Sequence, residues 1–184
     1  MKIEKTKLKD VLIITPDVYG DERGFFFESY NERKFYDNEL FLNFVQDNIS
    51  FSKYGTIRGL HYQIGENAQG KLCQALSGKV IDVAVDIRFG SPTFGEHVAV
   101  ELSEDNHRQI WIPPGFAHGF SVLSDTALFS YKCTAFYSKK DERAIMYNDS
   151  ELSIDWKVDA KAVSEKDLQG KAFKDIDKDF LFME

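Results

Sequence analysis

The amino-acid sequence predicts an all-β fold, either a closed barrel or a double-sheet jelly roll, with one short helix and a helical segment near the C-terminus. Short runs rich in Val, Ile, Phe and Tyr alternate with Gly, Pro, Asn, Asp and Ser at the spacing of antiparallel strands. An antiparallel chain with so many strands commonly closes its edges in such a fold, and the concave interior can hold a small ligand.

The candidate strands follow one another along the whole chain, at residues 11–15, 24–30, 44–52, 57–63, 71–77, 79–87, 97–103, 108–113, 117–124 and 127–138. One helix is predicted over 31–41, because Asn31 is a suitable N-cap for the pattern that follows. The strands 71–77 and 79–87 are predicted to form a hairpin that turns at Ser77 and Gly78.

The strand 79–87 shows how alternation assigns faces. Odd-numbered positions from Ile81 to Ile87 carry only aliphatic side chains, whereas even-numbered positions include Asp82 and Asp86. Because successive side chains of a strand point to opposite faces, we expect one face of this strand to pack and the other to meet polar groups.

Composition predicts a single domain spanning 1–184. Hydrophobic residues make up 43% of the 184 residues and aromatic residues 14%, with 16 Phe, which is ample material for a core. The 23 basic and 30 acidic side chains give a net charge of −7. This charge argues against nucleic acid or an anionic membrane as a partner, so an anionic ligand would need a local basic pocket.

The N-terminal segment and the cysteines point to a cytoplasmic protein. The apolar stretch "VLII" is too short for a signal peptide or a membrane span. Cys73 and Cys133 lie far apart in apolar runs with no C-x-x-C spacing, so we expect buried, reduced thiols.

The stretch "RGLHYQ" places His61 in a run that otherwise resembles a buried strand. Its imidazole could be a core group with one hydrogen bond, or a base, since histidine is easily poised near neutral pH. Arg58 and Lys71 lie nearby in the sequence, although Lys71 could equally protect a strand edge. A regular strand would put Arg58 and His61 on opposite faces, so a shared site requires a bulge, for which Gly59 is the candidate.

Two later segments carry further candidates. In "WIPPGFAHGF", His118 could be a core histidine or a neutral donor that faces a cavity. In "FSYKCTAFYS", Tyr131 shares a face with Phe129 and Cys133, a pattern typical of a core, although a phenol in a cavity can carry a proton. Tyr137 could offer a ring on which a base stacks.

Several other chemistries lack their sequence signals. The histidines at 61, 97, 107 and 118 include no H-x-H pair and no H-E-x-x-H, so no metal site is predicted. No G-x-G-x-x-G, Walker or G-x-S-x-G motif occurs, so a bound nucleotide would be held by side chains such as Arg23 and Arg58.

Nine short motifs follow one another along the chain: "GDERGFFFES", "FVQDN", "RGLHYQ", "GENAQGKL", "VAVDIR", "SPTFG", "WIPPGFAHGF", "YSKKDE" and "LSEKD". Together they resemble the dTDP-4-dehydrorhamnose 3,5-epimerase family, from the N-terminal strand to about residue 167. The resemblance implies a cupin-type jelly roll, a homodimer that exchanges N-terminal strands, and an enzyme without a cofactor. Its substrate would be a dTDP-linked 4-keto-6-deoxyhexose, whose C3 and C5 hydrogens are acidified by the C4 carbonyl.

The resemblance also implies catalytic roles. His61 would be the base, Lys71 would stabilise the enolate oxygen, and Tyr131 would be the acid on the other face. Asp167 would orient His61, but Ser164 and Asp167 also have the spacing of a helix cap, and Asp82 competes as the partner of the histidine.

The remaining implied residues bind the substrate. Arg58 would hold the diphosphate, and His118 and Asp82 would line the site. The nucleotide would be bound by Arg23, Phe26 and Glu28 of the partner subunit together with Gln46, Asn48, Tyr137 and Glu142. The alternatives are a single-site 3-epimerase, a ketoisomerase on a related sugar nucleotide, a noncatalytic sugar-nucleotide binding module, or a metal-dependent cupin.

Overall fold

The computed structural model describes residues 1–183. In chain order, its strands are β1 (Lys2–Lys5), β2 (Leu12–Thr15), β3 (Tyr19–Asp21), β4 (Gly24–Phe26), β5 (Gln46–Lys53), β6 (Thr56–Gln63), β7 (Lys71–Ser77), β8 (Lys79–Asp86), β9 (His97–Ser103), β10 (Gln109–Ile112), β11 (Phe116–Val122), β12 (Thr126–Cys133), β13 (Glu142–Ala144) and β14 (Ala162–Val163). The α-helices are α1 (Glu32–Tyr36) and α2 (Glu165–Leu168), and single 3-10 turns lie at Gly65–Asn67 and Phe173–Asp175. No helix in the described part of the chain has the length and apolar character needed to cross a bilayer.

Most of the strands form two sheets. The first has the order β1-β2-β10-β7-β12-β5, and the second has the order β13-β6-β11-β8-β9, with β14 added parallel to β6. Strands β3 and β4 form a separate hairpin. Two sheets of mainly antiparallel strands around one core make a cupin-type double-sheet jelly roll, which confirms the predicted fold class.

The main core lies between the two sheets. It joins side chains of β7, β10 and β12 in the first sheet to side chains of β8, β9 and β11 in the second, and includes the fully buried Phe129, Leu102 and Ile110. Burying such side chains contributes about 1.5–3 kcal/mol each. The same gap between the sheets holds the cavity described below.

The outer face of the second sheet is also buried. Trp156, Phe173 and Ile176 from the C-terminal segment pack on Val83 and Val85 of β8. The expectation for the two faces of β8 is confirmed: the odd-numbered aliphatic side chains pack under the C-terminal segment, while on the other face Asp82 contacts His118 and Asp86 contacts Arg88. This second face is buried as well, because Val80 and Ala84 join the core between the sheets.

The predicted hairpin at Ser77 and Gly78 does not form. Strand β7 pairs with β10 and β12, whereas β8 pairs with β9 and β11, so the chain passes from one sheet to the other between them. Gly78 has φ +75°, and a Cβ at this position would lie 2.1 Å from the carbonyl oxygen of Thr126. Only glycine fits this close crossing.

Three predicted elements are shorter than expected. Strand β4 ends at Phe26 and helix α1 at Tyr36, and the following chain covers the first sheet with apolar side chains such as Phe44. Glu39 has φ +62°, which is incompatible with continuing the helix. Strand β12 ends at Cys133 because that residue pairs with Lys71 and Gln46, the first residues of its two neighbouring strands.

Candidate active site

A cavity of about 290 Å³ opens between the two sheets. Its lining brings together the following residues predicted from the sequence: Arg58, His61, Lys71, His118, Tyr131 and Asp167. Ligand pockets usually measure about 300–1,000 Å³. The volume therefore suits one sugar ring better than a complete nucleotide sugar.

His61 of β6 is paired with Asp167 of α2. The Nε2 atom of His61 lies 2.5 Å from Oδ1 of Asp167, and the side-chain exposures are 27% and 3%. Burial alone would raise the pKa of Asp167, but the hydrogen bond and charge interaction with His61, together with hydrogen bonds from Ser164 and the Gly59 backbone, outweigh burial and lower the pKa. The pair thus consists of a buried, ionised carboxylate behind an imidazole that reaches the cavity.

A bulge in β6 allows Arg58 and His61 to line the same cavity. His61 pairs with His118, whereas Arg58 pairs with Phe120, so three steps along β6 match two along β11. Gly59, at φ +123°, lies within the bulge, and a Cβ there would lie 2.4 Å from the Cα of Gly119. The structure therefore contains the bulge that Arg58 and His61 need in order to share one site.

His118 forms a second histidine–aspartate pair on the inner wall of the cavity. Its Nε2 atom lies 2.9 Å and 3.1 Å from the two carboxylate oxygens of Asp82, which is completely buried. Burial lowers the pKa of His118, and the neighbouring carboxylate offsets this only in part. Asp82 thus lies behind His118 rather than in the cavity lining, and of the two aspartates it is Asp167 that contacts His61.

Lys71 and Tyr131 reach the cavity from the opposite sheet. They lie on the neighbouring strands β7 and β12, where Lys71 pairs with Cys133 and Tyr131 with Cys73. Burial lowers the pKa of Lys71 and raises that of Tyr131 to about 12. The phenol is therefore protonated at neutral pH and able to donate.

A chain of polar contacts continues outward from the cavity. Tyr137 donates its hydroxyl to Glu142, and the backbone N–H of Tyr137 donates to Gln46, whose amide donates to Asn48. Lys166, which lines the cavity, contacts Glu142. Burial alone would raise the pKa of Glu142, but hydrogen bonds from Lys166 and Tyr137 lower it.

Three predicted binding residues lie away from this cavity within their own chain. Arg23 and Phe26 belong to the exposed β3–β4 hairpin, where Arg23 forms an ion pair with Asp21. Glu28 forms an ion pair with Lys34 near the N-terminus. One chain alone therefore does not bring these residues to His61.

The sequence-based list missed several cavity residues. Ser164 and Lys166 line the cavity just before Asp167 in the sequence, and the "LSEKD" motif could have indicated them. Ser164 also caps α2 by accepting a hydrogen bond from the Asp167 backbone N–H, while the Asp167 carboxylate contacts His61, so the motif contains both the predicted cap and a contact with the histidine. Ser50 has a buried hydroxyl oxygen without a hydrogen-bond partner within residues 1–183, and no sequence signal marked it.

The cavity combines a histidine held by a carboxylate with a lysine and a neutral phenol. This set of groups characterises a protein that can move a proton on carbon, as isomerases do. The comparisons with known proteins identify the family. The chain belongs to the dTDP-4-dehydrorhamnose 3,5-epimerase family, whose sequence model matches residues 5–175.

Individual relatives agree with this assignment. The chain is 56% identical over 179 residues to the dTDP-4-dehydrorhamnose 3,5-epimerase of Pseudomonas aeruginosa, covering 96% of this chain and 98% of that one. A crystal structure of the Legionella pneumophila 3,5-epimerase with dTDP-4-keto-L-rhamnose is similar at 48% identity and a TM-score of 0.94, covering 100% and 99% of the two chains. A 3'-monoepimerase from Streptomyces bikiniensis in complex with dTDP-quinovose is similar at 25% identity and a TM-score of 0.87, covering 92% and 87%.

Proposed function

We propose that the chain catalyses the 3,5-epimerisation of dTDP-4-dehydro-6-deoxyglucose to dTDP-4-dehydro-L-rhamnose through an enolate. The observation that carries this proposal is the placement of His61 and Tyr131 on opposite sheets around one cavity. Inversion at carbon requires that the proton leave from one face and return to the other. A base and an acid on facing walls provide that arrangement.

Each step assigns a role to one side chain. The C4 carbonyl acidifies the hydrogens at C3 and C5, and His61 removes one of them while Asp167 stabilises the imidazolium. Lys71 stabilises the negative charge that develops on the carbonyl oxygen. Tyr131 then donates its proton to the opposite face of the same carbon. Once His61 has released its proton to solvent and Tyr131 has regained one from solvent, repetition at the second carbon completes the reaction.

The substrate would extend from the cavity along the polar contacts outside it. Arg58, which donates to Ser52 and lines the cavity, would hold the diphosphate. Tyr137 is 55% exposed and could stack on thymine. Gln46, Asn48 and Glu142 would contact the nucleoside, and His118 would line the sugar pocket, with Asp82 supporting it from behind.

We also propose that the active form is a cytoplasmic homodimer with exchanged N-terminal strands. The outer face of the first sheet exposes the apolar side chains Ile49, Phe51 and Leu76, and the β3–β4 hairpin exposes Phe26. Such a patch is typical of a protein interface. In this arrangement Arg23, Phe26 and Glu28 would reach the cavity of the partner.

Proton NMR in deuterium oxide tests the reaction directly. With dTDP-4-keto-6-deoxyglucose as substrate, we expect loss of both the C3 and C5 proton signals and formation of the L-configured product. Exchange at C3 alone would instead identify a 3-epimerase. Binding of the substrate without exchange at either carbon would identify a noncatalytic binding module.

A mixing experiment tests the proposed dimer. The variants His61→Ala and Arg23→Ala should each have low activity, and a heterodimer of the two would contain one site with both native residues. Random reassortment in a two-fold dimer predicts recovery of about a quarter of the wild-type activity. If Arg23 acted within its own chain, mixing would restore nothing.

A further inference from the structure

Three potential metal ligands from three different strands lie together at the inner wall of the cavity. Cys73 lies on β7, Asp82 on β8 and His118 on β11. One ligand atom from each residue lies within 4.8 Å of the other two, and all three residues are buried. The mechanism proposed above makes no use of Cys73.

The separations suit a tetrahedral zinc ion. Zn–S bonds of about 2.3 Å and Zn–N or Zn–O bonds of about 2.0–2.2 Å place the ligand atoms of such a site about 3.2–3.7 Å apart. The Sγ of Cys73 lies 3.8 Å from the Nε2 of His118, and an Asp82 oxygen lies 2.9 Å from the same nitrogen. Small side-chain adjustments would therefore complete the geometry.

The charges of the three ligands also match a divalent cation. A thiolate and a carboxylate together neutralise two positive charges, which reduces the cost of burying the ion. His118 adds a neutral nitrogen, and thiolate with imidazole is a ligand set that favours zinc. Because His118 lines the cavity, the fourth position would face the cavity and could be taken by water, as in open zinc sites.

We infer that this chain binds a zinc-like divalent cation at Cys73, Asp82 and His118, and that its binding inhibits epimerisation. On binding, the Cys73 thiol releases its proton to solvent as the metal–sulfur bond forms. His118 coordinates through Nε2 as the neutral tautomer that carries its proton on Nδ1, and Asp82 contributes one oxygen. No electron transfer is involved.

Inhibition follows from the position of the site. Lys71 lies two residues before Cys73 on the same face of β7 and lines the same cavity. A cation bound at Cys73 repels the nearby Lys71 ammonium, so Lys71 can no longer hold the enolate oxygen as proposed. The inhibition rests on the proposed function, whereas binding of the cation does not.

The experiment uses the full chain after dialysis against a chelator. Zn²⁺ binding is measured by calorimetry, and Co²⁺ is used as a spectroscopic probe, because a cobalt–thiolate bond gives a charge-transfer absorption. The test variant is Cys73→Ala. The matched control is Cys133→Ala, which removes the other buried cysteine without removing a ligand of the site.

For the wild-type chain we expect one Zn²⁺ per chain, a thiolate–cobalt absorption band, a higher thermal unfolding temperature with Zn²⁺, and inhibition that a chelator reverses. Cys73→Ala should keep its activity in the absence of metal but weaken Zn²⁺ binding by more than about 100-fold, since even the loss of an outer-shell partner can cost about 10- to 100-fold. Cys133→Ala should behave as wild type.

Two results would overturn the inference. One is the absence of stoichiometric binding to the wild-type chain. The other is binding by Cys73→Ala with wild-type affinity and the same cobalt spectrum, which would place the ion elsewhere. An inactive wild-type chain that still binds one ion through Cys73 would overturn the proposed function and the inhibition, but not the cation site.

Discussion

The cavity contains two histidine–aspartate pairs on neighbouring strands, and they differ in how far they are open to the cavity. His61 keeps 27% of its side chain exposed, whereas His118 keeps 8%. The aspartates also have different origins. Asp167 comes from the C-terminal helix α2, outside the sheets, and Asp82 comes from β8, within the same sheet as His118.

This difference explains why the same two residue types can serve different purposes. A base must meet substrate, so it needs an exposed nitrogen and a partner that approaches from behind. Asp167 binds Nε2 of His61, which leaves Nδ1 without a hydrogen-bond partner in the described part of the chain. His118 is fixed by both oxygens of a fully buried carboxylate and is therefore better suited to supporting the wall of the pocket.

The largest effect should follow from removing the open histidine. We expect His61→Ala to lower turnover and deuterium exchange at both carbons by about 10²- to 10⁴-fold, the usual contribution of a general base. Binding of dTDP should be retained, since the lost group acts in the transition state. The control is His97→Ala, a histidine on β9 outside the cavity lining. Turnover of His61→Ala at the control rate would refute its role as the base.

Removing the closed histidine should mainly affect stability. His118→Ala leaves the completely buried Asp82 carboxylate without its imidazole partner. Leaving a buried acceptor without its hydrogen-bond partner typically costs about 1–3 kcal/mol of unfolding free energy, and more for a charged group. We therefore expect urea denaturation to show a larger loss of unfolding free energy for His118→Ala than for His61→Ala. Equal losses of unfolding free energy in the two variants would mean that the more buried pair does not stabilise the fold more than the open pair.

The two pairs also show what the sequence could and could not predict. His61 stood out in its own strand and Asp167 was implied by the family resemblance, but their contact joins residues 106 positions apart, so only the fold could choose Asp167 over Asp82. Most strands followed from alternation. The crossing at Gly78 was missed because adjacent strands separated by a glycine resemble a hairpin until their partners are known.

The cluster at Cys73 was missed for a similar reason. Metal motifs are recognised when ligands are close in sequence, whereas Cys73, Asp82 and His118 come from three strands of two sheets. The cover of the second sheet was missed because Trp156 and Phe173 lie in a segment with little regular structure. Contacts between segments that are distant in sequence leave no periodic pattern.

A smaller effect on activity should follow from neutralising the carboxylate of the open pair. Asp167→Asn keeps the size of the side chain but removes the charge that supports the imidazolium. A hydrogen bond to a charged group contributes about 1.5–3 kcal/mol, and about 1.4 kcal/mol corresponds to a tenfold change in rate. We expect kcat to fall about 10- to 100-fold with little change in KM. A change in KM alone would show that Asp167 holds substrate rather than His61.

The smallest effect should appear in the pH dependence of stability. The pKa of Asp167 is lowered in the folded chain, so its stabilising contribution is fully present above its unfolded pKa of about 3.9 and is lost as the pH falls through its lower folded value. In urea unfolding, the unfolding free energy of the wild-type chain should exceed that of Asp167→Asn by about 1.5–3 kcal/mol at neutral pH, from one charge-assisted hydrogen bond. This difference in unfolding free energy should become smaller below about pH 4.

Asp86→Asn is the matched control for this comparison. Burial alone would raise the pKa of Asp86, but hydrogen bonds from Arg88, Ser91 and Thr93 lower it, and Asp86 does not line the cavity. The difference in unfolding free energy between the wild-type chain and Asp86→Asn should become smaller over the same acidic range, while the activity of Asp86→Asn stays at the wild-type level. If both variants lost stability but neither lost activity, Asp167 would be a structural carboxylate like Asp86, and the two histidine pairs would differ only in exposure.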